Sequence, residues 1–279
     1  MFEAAQLGRK ISKREFKKRE PELHTRLLET QRELRGSNSP VIVIVSGVEG
    51  AGKGEVVNRL HEWLDARDME VFAFWDESDE ERQRPTFWRF WRTLPRRGTV
   101  GVMFGSWYTR PIIDRVFRRI PKAEFEHALS RIAGLENMLA QDGAIIVKFW
   151  FHLSKDVQRS RLKADVKKHG KGGRTSPLTK KFSKRYDRFA KISEHAMHRT
   201  DSETCPWHIV TSEDRSFRDI TVGTTLLEAM SRGLERARAT QSVAGGTDSP
   251  APSQAGAANR AALDRVDLSV ALTEQRYKR

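Results

Sequence analysis

The sequence predicts an α/β domain, a parallel sheet sandwiched by helices, and three observations carry that prediction. Apolar runs of strand length alternate with stretches of helical period from about residue 41 to residue 238. The first run, Val41-Ile42-Val43-Ile44-Val45, leads into Gly47-Val48-Glu49-Gly50-Ala51-Gly52-Lys53-Gly54, the strand–loop–helix order of a phosphate-binding loop. No apolar run reaches the roughly 18 residues of a membrane span. The start, with Arg9 and Lys10, lacks the apolar stretch of a signal peptide, so a cytoplasmic location is expected.

Taken in order, residues 1–38 form a helical N-terminal extension. Phe16, Leu23, Leu27, Leu28 and Leu34 recur among charges over 12–35, a helical pattern interrupted at Pro21. The main domain, 39–239, then reads as strand 41–46, helix 53–66, strand 70–75, helix 80–93, strand 99–104, helices 111–119 and 122–141, strand 144–151 and helix 155–167. A basic segment 168–181 follows, then a helix near 182–199, a strand near 207–211 and a helix near 216–238. Residues 240–259, rich in Gly, Ala, Ser and Pro, read as a flexible linker. Residues 260–279 regain an ordered composition but are too few to bury a core. A linker leading into such a stub is expected to precede a further module, or the stub packs on a partner or on its own domain.

Composition narrows the partners. With 279 residues and 38% hydrophobic content the chain can bury one large core. The lone Cys205, between Thr204 and Pro206, rules out an internal disulfide framework and a cysteine-cluster metal site, and reads as structural. The net charge of +14 is concentrated: Lys163 to Lys191 holds eleven Lys or Arg against two Asp. Such an excess around Gly170, Gly172 and Gly173 suits a flap over a polyanion. Nucleic acid would satisfy the same charge, but no reader motif accompanies it, and nucleic acid is not the expected partner.

Three clusters carry candidate chemistry. In the loop, Gly47, Gly50 and Gly52 let successive amides turn toward an anion, Lys53 adds a mobile charge, and the following helix adds its dipole. Gly54 stands where a Ser or Thr would normally meet magnesium. Glu49, inside the loop, either holds a metal, takes a proton from an acceptor group, or pairs with a neighbouring cation. The second cluster, Glu80 to Arg92, sets Arg89 and Arg92 at i and i+3 among Phe87, Trp88, Phe90 and Trp91, the aromatics reading as core anchors and the arginines as phosphate contacts. The third, Met103-Phe104-Gly105-Ser106-Trp107-Tyr108-Thr109-Arg110, ends a strand, where open α/β sheets bind ligands. It offers no carboxylate before Asp114.

The landmarks Gly47–Gly54, Ser78-Asp79-Glu80-Glu81-Arg82, Trp88 to Pro95, Ser106-Trp107-Tyr108, Lys148 to Lys155 with Gln158 and Arg161, and Pro206-Trp207 occur in the order seen in the polyphosphate kinase 2 family, which the chain resembles over about residues 40–235. The resemblance implies a P-loop kinase-like fold with a basic lid at about 165–200. It also implies inorganic polyphosphate and magnesium as the means of phosphorylating a nucleoside mono- or diphosphate, and assembly into oligomers. It casts Lys53, Glu49 and Arg89 as catalytic. Gly47, Gly50, Ala51, Gly52, Gly54, Arg110, Asp114 and Arg161 become contacts to phosphate or nucleotide, and Lys167, Lys168, Lys171 and Arg174 lid cations. Glu49, with Asp114, would hold the metal or orient the acceptor.

This chain departs from the pattern where Phe104 and Gly105 replace a metal-binding Asp and a phosphate-binding Arg, and where Gly172-Gly173-Arg174-Thr175 replaces a Trp-Lys pair in the lid. These departures resemble the first module of two-domain members that act on AMP, a module that looks degenerate beside an active second one. Two readings stay open: a polyphosphate-dependent nucleotide phosphotransferase, or a non-catalytic module that binds polyphosphate or supports assembly.

Overall fold

A computed structural model describes residues 2, 8–169 and 183–245. The expected lid residues Lys171 and Arg174, the Gly172-Gly173 pair, most of the linker and the whole stub lie outside the described residues, as does the side chain of Lys168.

The elements are α1 (Lys13–Arg35), β1 (Val41–Gly47), α2 (Lys53–Trp63), β2 (Met69–Ala73), α3 (Asp79–Arg82), α4 (Trp88–Trp91), β3 (Val100–Phe104), α5 (Thr109–Val116), α6 (Lys122–Gln141), β4 (Ile145–His152), α7 (Lys155–His169), α8 (Tyr186–Thr200), β5 (Trp207–Thr211) and α9 (Arg215–Gly245). The strands form one sheet in the order β2-β3-β1-β4-β5, and every pairing is parallel. The expected α/β architecture is therefore present, with β1 central.

Residues of β1 alternate between the two sheet faces, which explains its unbroken apolar run. Val41, Val43 and Val45 pack with Leu27, Leu34, Leu60, Trp63, Leu226 and Met230 on the face covered by α1, α2 and α9. Ile42 and Ile44 pack with Phe90, Ile112, Leu129, Ile132 and Ala196 on the other. Among the described residues no helix is long and apolar enough to cross a membrane.

Three expectations need correction. Pro21 does not interrupt α1, which runs unbroken for 23 residues from a Ser12 cap that accepts from the Glu15 amide. Proline removes one backbone bond, and Pro21 and Lys17 both lie on the exposed face, where water takes its place. The helix expected at 80–93 is instead two single turns, α3 and α4. Pro85 falls between them, and its carbonyl accepts from Trp88 N–H at 2.8 Å to start the second turn. The last helix continues to Gly245, past its expected end near 238.

One buried polar group organises the lower half of the domain. Lys148, on β4, is fully buried. Its ammonium donates to Glu136 Oε2 at 2.7 Å, to Thr200 O at 2.7 Å and to Tyr108 Oη at 3.3 Å. Glu136 Oε1 in turn accepts from Trp107 Nε1 at 2.9 Å and Tyr108 Oη at 2.8 Å. Every donor of the ammonium is thus used, the condition under which a buried charge is tolerated. The Trp107-Tyr108 landmark therefore anchors the turn after β3 to β4, α6 and the end of α8.

Candidate phosphate-binding site

The loop between β1 and α2 is shaped from behind. Gly47 has φ +145°, and a Cβ there would strike the Phe151 backbone. Gly50 and Gly52 sit at φ +79° and +80°, the left-handed region that favours glycine. Five successive carbonyls of this loop are held by side chains. Lys53 Nζ donates to Gly47 O at 3.0 Å and Val48 O at 3.2 Å. Gln158 Nε2 donates to Glu49 O at 3.1 Å, Arg161 Nη1 to Gly50 O at 3.1 Å, and Arg218 Nη1 to Ala51 O at 3.4 Å.

Two loop amides are used within the backbone, Val48 N–H on Phe151 O at 3.0 Å and Ala51 N–H on Val48 O at 3.4 Å, and the held carbonyls fix the shape of the loop around the remaining amides. The first intrahelical bond of α2 runs from Val56 N–H to Gly52 O at 3.1 Å. The amides of Lys53, Gly54 and Glu55 thus head the helix without an intrahelical acceptor, at the positive end of its dipole.

The pins come from distant elements. Arg161, on α7, also donates to Ser212 O and Glu213 O, both at 2.8 Å. Burial, with Arg218 and Arg215 nearby, lowers its pKa. Arg218, on α9, is almost wholly buried. It meets Glu55 Oε2 at 3.0 Å and Asp219 Oδ1 at 2.8 Å, and a Cβ on Gly52 would collide with its guanidinium. Sequence reasoning missed Arg218: in a charged helical stretch it reads as a surface residue, and only the fold brings it to Ala51. It had placed Arg161 against the ligand, whereas the guanidinium faces the loop carbonyls and the turn after β5.

Glu49 pairs with Lys53, Nζ to Oε2, at 3.2 Å, the neighbouring-cation alternative of the sequence reading. Gly54 is helical, with no atom within 4 Å of where a Cβ would lie. Asp114 is bracketed by Arg119 at 3.0 Å and Arg110 at 3.4 Å, and Arg110 also pairs with Glu77. Arg110 and Asp114 are thus brought together on α5, after β3. Arg89 lies beneath the end of β2, where it donates to Trp75 O at 3.1 Å, pairs with Glu81 at 3.3 Å and lies over the Phe74 ring at 5.3 Å. Arg92 instead covers Trp88 at 4.8 Å, so the two arginines diverge. Lys167, in the last turns of α7, is exposed.

The residues present do not fit a resident magnesium ion. Phe104 and Gly105 supply no donor at the strand end, Gly54 has no hydroxyl, Glu49 is ion-paired, and Asp114 faces two arginines. Among the described residues no group of three His, Cys, Asp or Glu side chains converges.

A second basic feature lies along α5 and α8. Arg115, Lys122, Phe125, Glu126, Arg188, Lys191, Ile192 and His195 line an open cavity of about 400 Å³. Arg188 donates to Arg115 O at 3.1 Å. Its pKa is lowered by burial and by Arg118, Arg115 and Arg185 around it. Arg118 holds φ +59°, uncommon for a residue with a side chain. Like charges gathered this way favour an anionic ligand.

Comparison with known proteins places this arrangement. The family model described as Polyphosphate kinase 2 matches residues 10–238. Polyphosphate:AMP phosphotransferase of Pseudomonas aeruginosa is 42% identical over 279 residues, covering 100% of this chain and 55% of that protein. The enzyme of the same name from Pseudomonas syringae pv. tomato is 38% identical, again over 100% of this chain and 55% of its own length. The chain therefore spans about half the length of these relatives. The crystal structure of Polyphosphate Kinase 2 from Arthrobacter aurescens TC1 superposes with a TM-score of 0.76 at 28% identity, covering 81% of each chain.

Proposed function

The chain belongs to the polyphosphate kinase 2 family, and from that premise we propose that it binds inorganic polyphosphate at the Gly47–Gly54 loop and transfers phosphoryl groups to a nucleoside mono- or diphosphate. The observation that carries this reading is the set of five carbonyls, Gly47 to Ala51, held by Lys53, Gln158, Arg161 and Arg218. Because the Glu49, Gly50 and Ala51 carbonyls are pinned from α7 and α9, the loop keeps its shape while Lys53 turns to the anion, the condition for strong electrostatic stabilisation. The Arg115–Arg118–Arg185–Arg188 cluster supports a polyanion, since its charge exceeds what one nucleotide phosphate needs. AMP is the acceptor to try first, because the relatives that match the whole chain are named for it.

In the transfer, an acceptor phosphate oxygen forms a bond to the terminal phosphorus of the polymer as the bridging P–O bond breaks, leaving a polymer one unit shorter. Charge on the transferring group is neutralised by the amides heading α2 and by Lys53, whose ammonium exchanges its contacts with Gly47 O and Val48 O for phosphate oxygens. A homo-oligomer or a covalently linked second module belongs to the same proposal, the greater length of the relatives supporting the latter. So does a cytoplasmic setting, where nucleotides are at hand.

One observation favours the second reading, a module that binds without turnover: the β3 end offers Phe104 and Gly105 where charge would be expected. A single assay separates the two. Purified chain is mixed with polyphosphate, AMP or ADP and magnesium salt, and nucleotide product and polyphosphate binding are followed together. Product at a rate lowered at least about 10²-fold by Lys53→Ala establishes transfer. Polyphosphate binding weakened by Lys53→Ala, with no product from either chain, establishes the binding module. Absence of polyphosphate binding overturns both.

A further inference from the structure

The ends of β2 and β3 carry a feature that phosphate chemistry leaves unexplained. Trp75, two residues beyond β2, is 75% exposed, against 46% for each of the next most exposed large apolar side chains among the described residues, Trp91 and Met138. It lies against Phe104, the last residue of β3, at 6.3 Å between ring centroids and 49° between planes. Its backbone is held on both sides. Phe74 N–H donates to Phe104 O at 2.9 Å, carrying the ladder one residue beyond β2. Arg89 Nη1 donates to Trp75 O at 3.1 Å. The indole is thus mounted on a fixed base with its face to water.

No side chain crowds the Phe104 position from the next residue. Gly105 has φ +83°, and a Cβ there would come to 2.9 Å of Phe74 O, so the position stays open. The segments that follow the two strands carry charge: Glu77, two residues after Trp75, pairs with Arg110 at the start of α5, which also pairs with Asp114. A lone aromatic pair with a charged rim is smaller than the contiguous apolar patch of a protein–protein interface. It matches what a flat heteroaromatic ring with a charged tail requires. The register Ala73↔Phe104 and Val45↔Phe104 places Phe104 one strand from β1 and Trp75 two, roughly 5 Å and 10 Å at about 4.8 Å per strand. A ring stacked on Trp75 therefore lies within a nucleotide's reach of the phosphate loop.

We propose that Trp75 and Phe104 form the stacking surface for the base of the acceptor nucleotide, making Trp75 a specificity-determining residue of this chain. The inference rests on the reading that a nucleotide is a ligand, and it holds whether or not transfer follows. The departure from an Asp-Arg pair at the strand end is then a change of ligand contact, from charge to ring stacking.

The test is calorimetric titration of the full chain, and of Trp75→Ala and Trp75→Phe variants, with AMP, with ribose 5-phosphate, which lacks the base, and with polyphosphate. Trp75→Ala is expected to weaken AMP binding about tenfold, the loss of one stacked base. Trp75→Phe should retain most of the affinity, and ribose 5-phosphate and polyphosphate should bind all three chains alike. Equal AMP affinity in Trp75→Ala and the parent overturns the inference, as does a parallel loss for ribose 5-phosphate, or no AMP binding by the parent chain. A sedimentation coefficient that falls only in Trp75→Ala also overturns it, by showing that a second copy covers the ring. Failure of phosphoryl transfer with AMP stacking intact counts against the proposed reaction alone.

Discussion

The carboxyl ends of β1 and β3 are neighbours in one sheet, yet they solve opposite problems. After β1, every carbonyl from Gly47 to Ala51 is gripped by a cationic or amide side chain, and three of the four gripping residues come from α7 and α9. After β3, charges pair with one another along the rim, Glu77 with Arg110 and Asp114 with Arg110 and Arg119, while aromatic rings occupy the strand end. Binding of an anion is therefore built into the first end by long-range contacts. The second end presents aromatic rings beside charges that pair with one another, and the two should respond differently to substitution.

The largest effect is expected at Arg218. It is buried with Asp219, reaches Glu55, and holds Ala51 O. Arg218→Ala leaves the buried Asp219 with only Arg59 at 3.5 Å, and removal of one partner from a buried pair costs about 3–5 kcal/mol. Urea unfolding should show a loss of that size, with weaker polyphosphate binding in whatever fraction stays folded. A stable Arg218→Ala chain that binds polyphosphate normally would erase the contrast between the two strand ends, because the loop would then hold its shape unaided.

His152, at the end of β4 beside the same loop, gives the next largest effect. It is buried beneath Phe2, with 4.4 Å between ring centroids. Burial pushes its pKa down to about 4, against a weaker upward pull from Glu194. The neutral imidazole is the folded form, so acidification through the ordinary value near 6.5 protonates the unfolded chain first. Stability should be level above about pH 6.5 and fall as the pH drops toward 4, by about 2 kcal/mol at pH 5. Denaturation midpoints at pH 7.5 and 5 measure it, and His152→Gln should remove that part of the slope. An unchanged slope in the variant would assign the acid sensitivity elsewhere.

The two ends also differ in how far they could be read from the chain. Strand β1 and its glycines were legible because an unbroken apolar run and fixed glycine spacing are local signals. The pins were not. Arg218 is 167 residues from the carbonyl it holds, and an arginine inside Arg215-Ser216-Phe217-Arg218-Asp219 carries no mark of burial. Lys148 did leave a signal, a single charge inside the apolar strand Ile145–Trp150, which demands a partner such as Glu136 once the strand is buried on both faces. At 80–93 the density of aromatics resembled one helix and outweighed Pro85, whereas the reverse held in α1, where Pro21 suggested a break that the helix does not show. Phe104 and Gly105 were visible as departures from a family pattern. Their local consequence, a left-handed glycine beneath the Phe74 carbonyl, needed the fold.

That glycine sets the smallest of the expected effects and the sharpest test of the contrast. Restoring the missing pair with Phe104→Asp and Gly105→Arg forces a residue with a Cβ into φ +83°, where it also meets Phe74 O at 2.9 Å. The left-handed conformation alone costs about 1–2 kcal/mol, and relief of the close contact would move the backbone at the β2–β3 edge. The double variant is therefore expected to lose stability by about that amount, most of it already present in Gly105→Arg alone, and to show no faster nucleotide formation than the parent. Phe104→Asp by itself carries no backbone strain and should leave the unfolding midpoint closer to the parent's. If the double variant gains transfer without losing stability, the strand end accommodates the charged pair as it stands. Its present character would then lie in two side chains, and the backbone around Gly105 would carry none of the difference between the two ends.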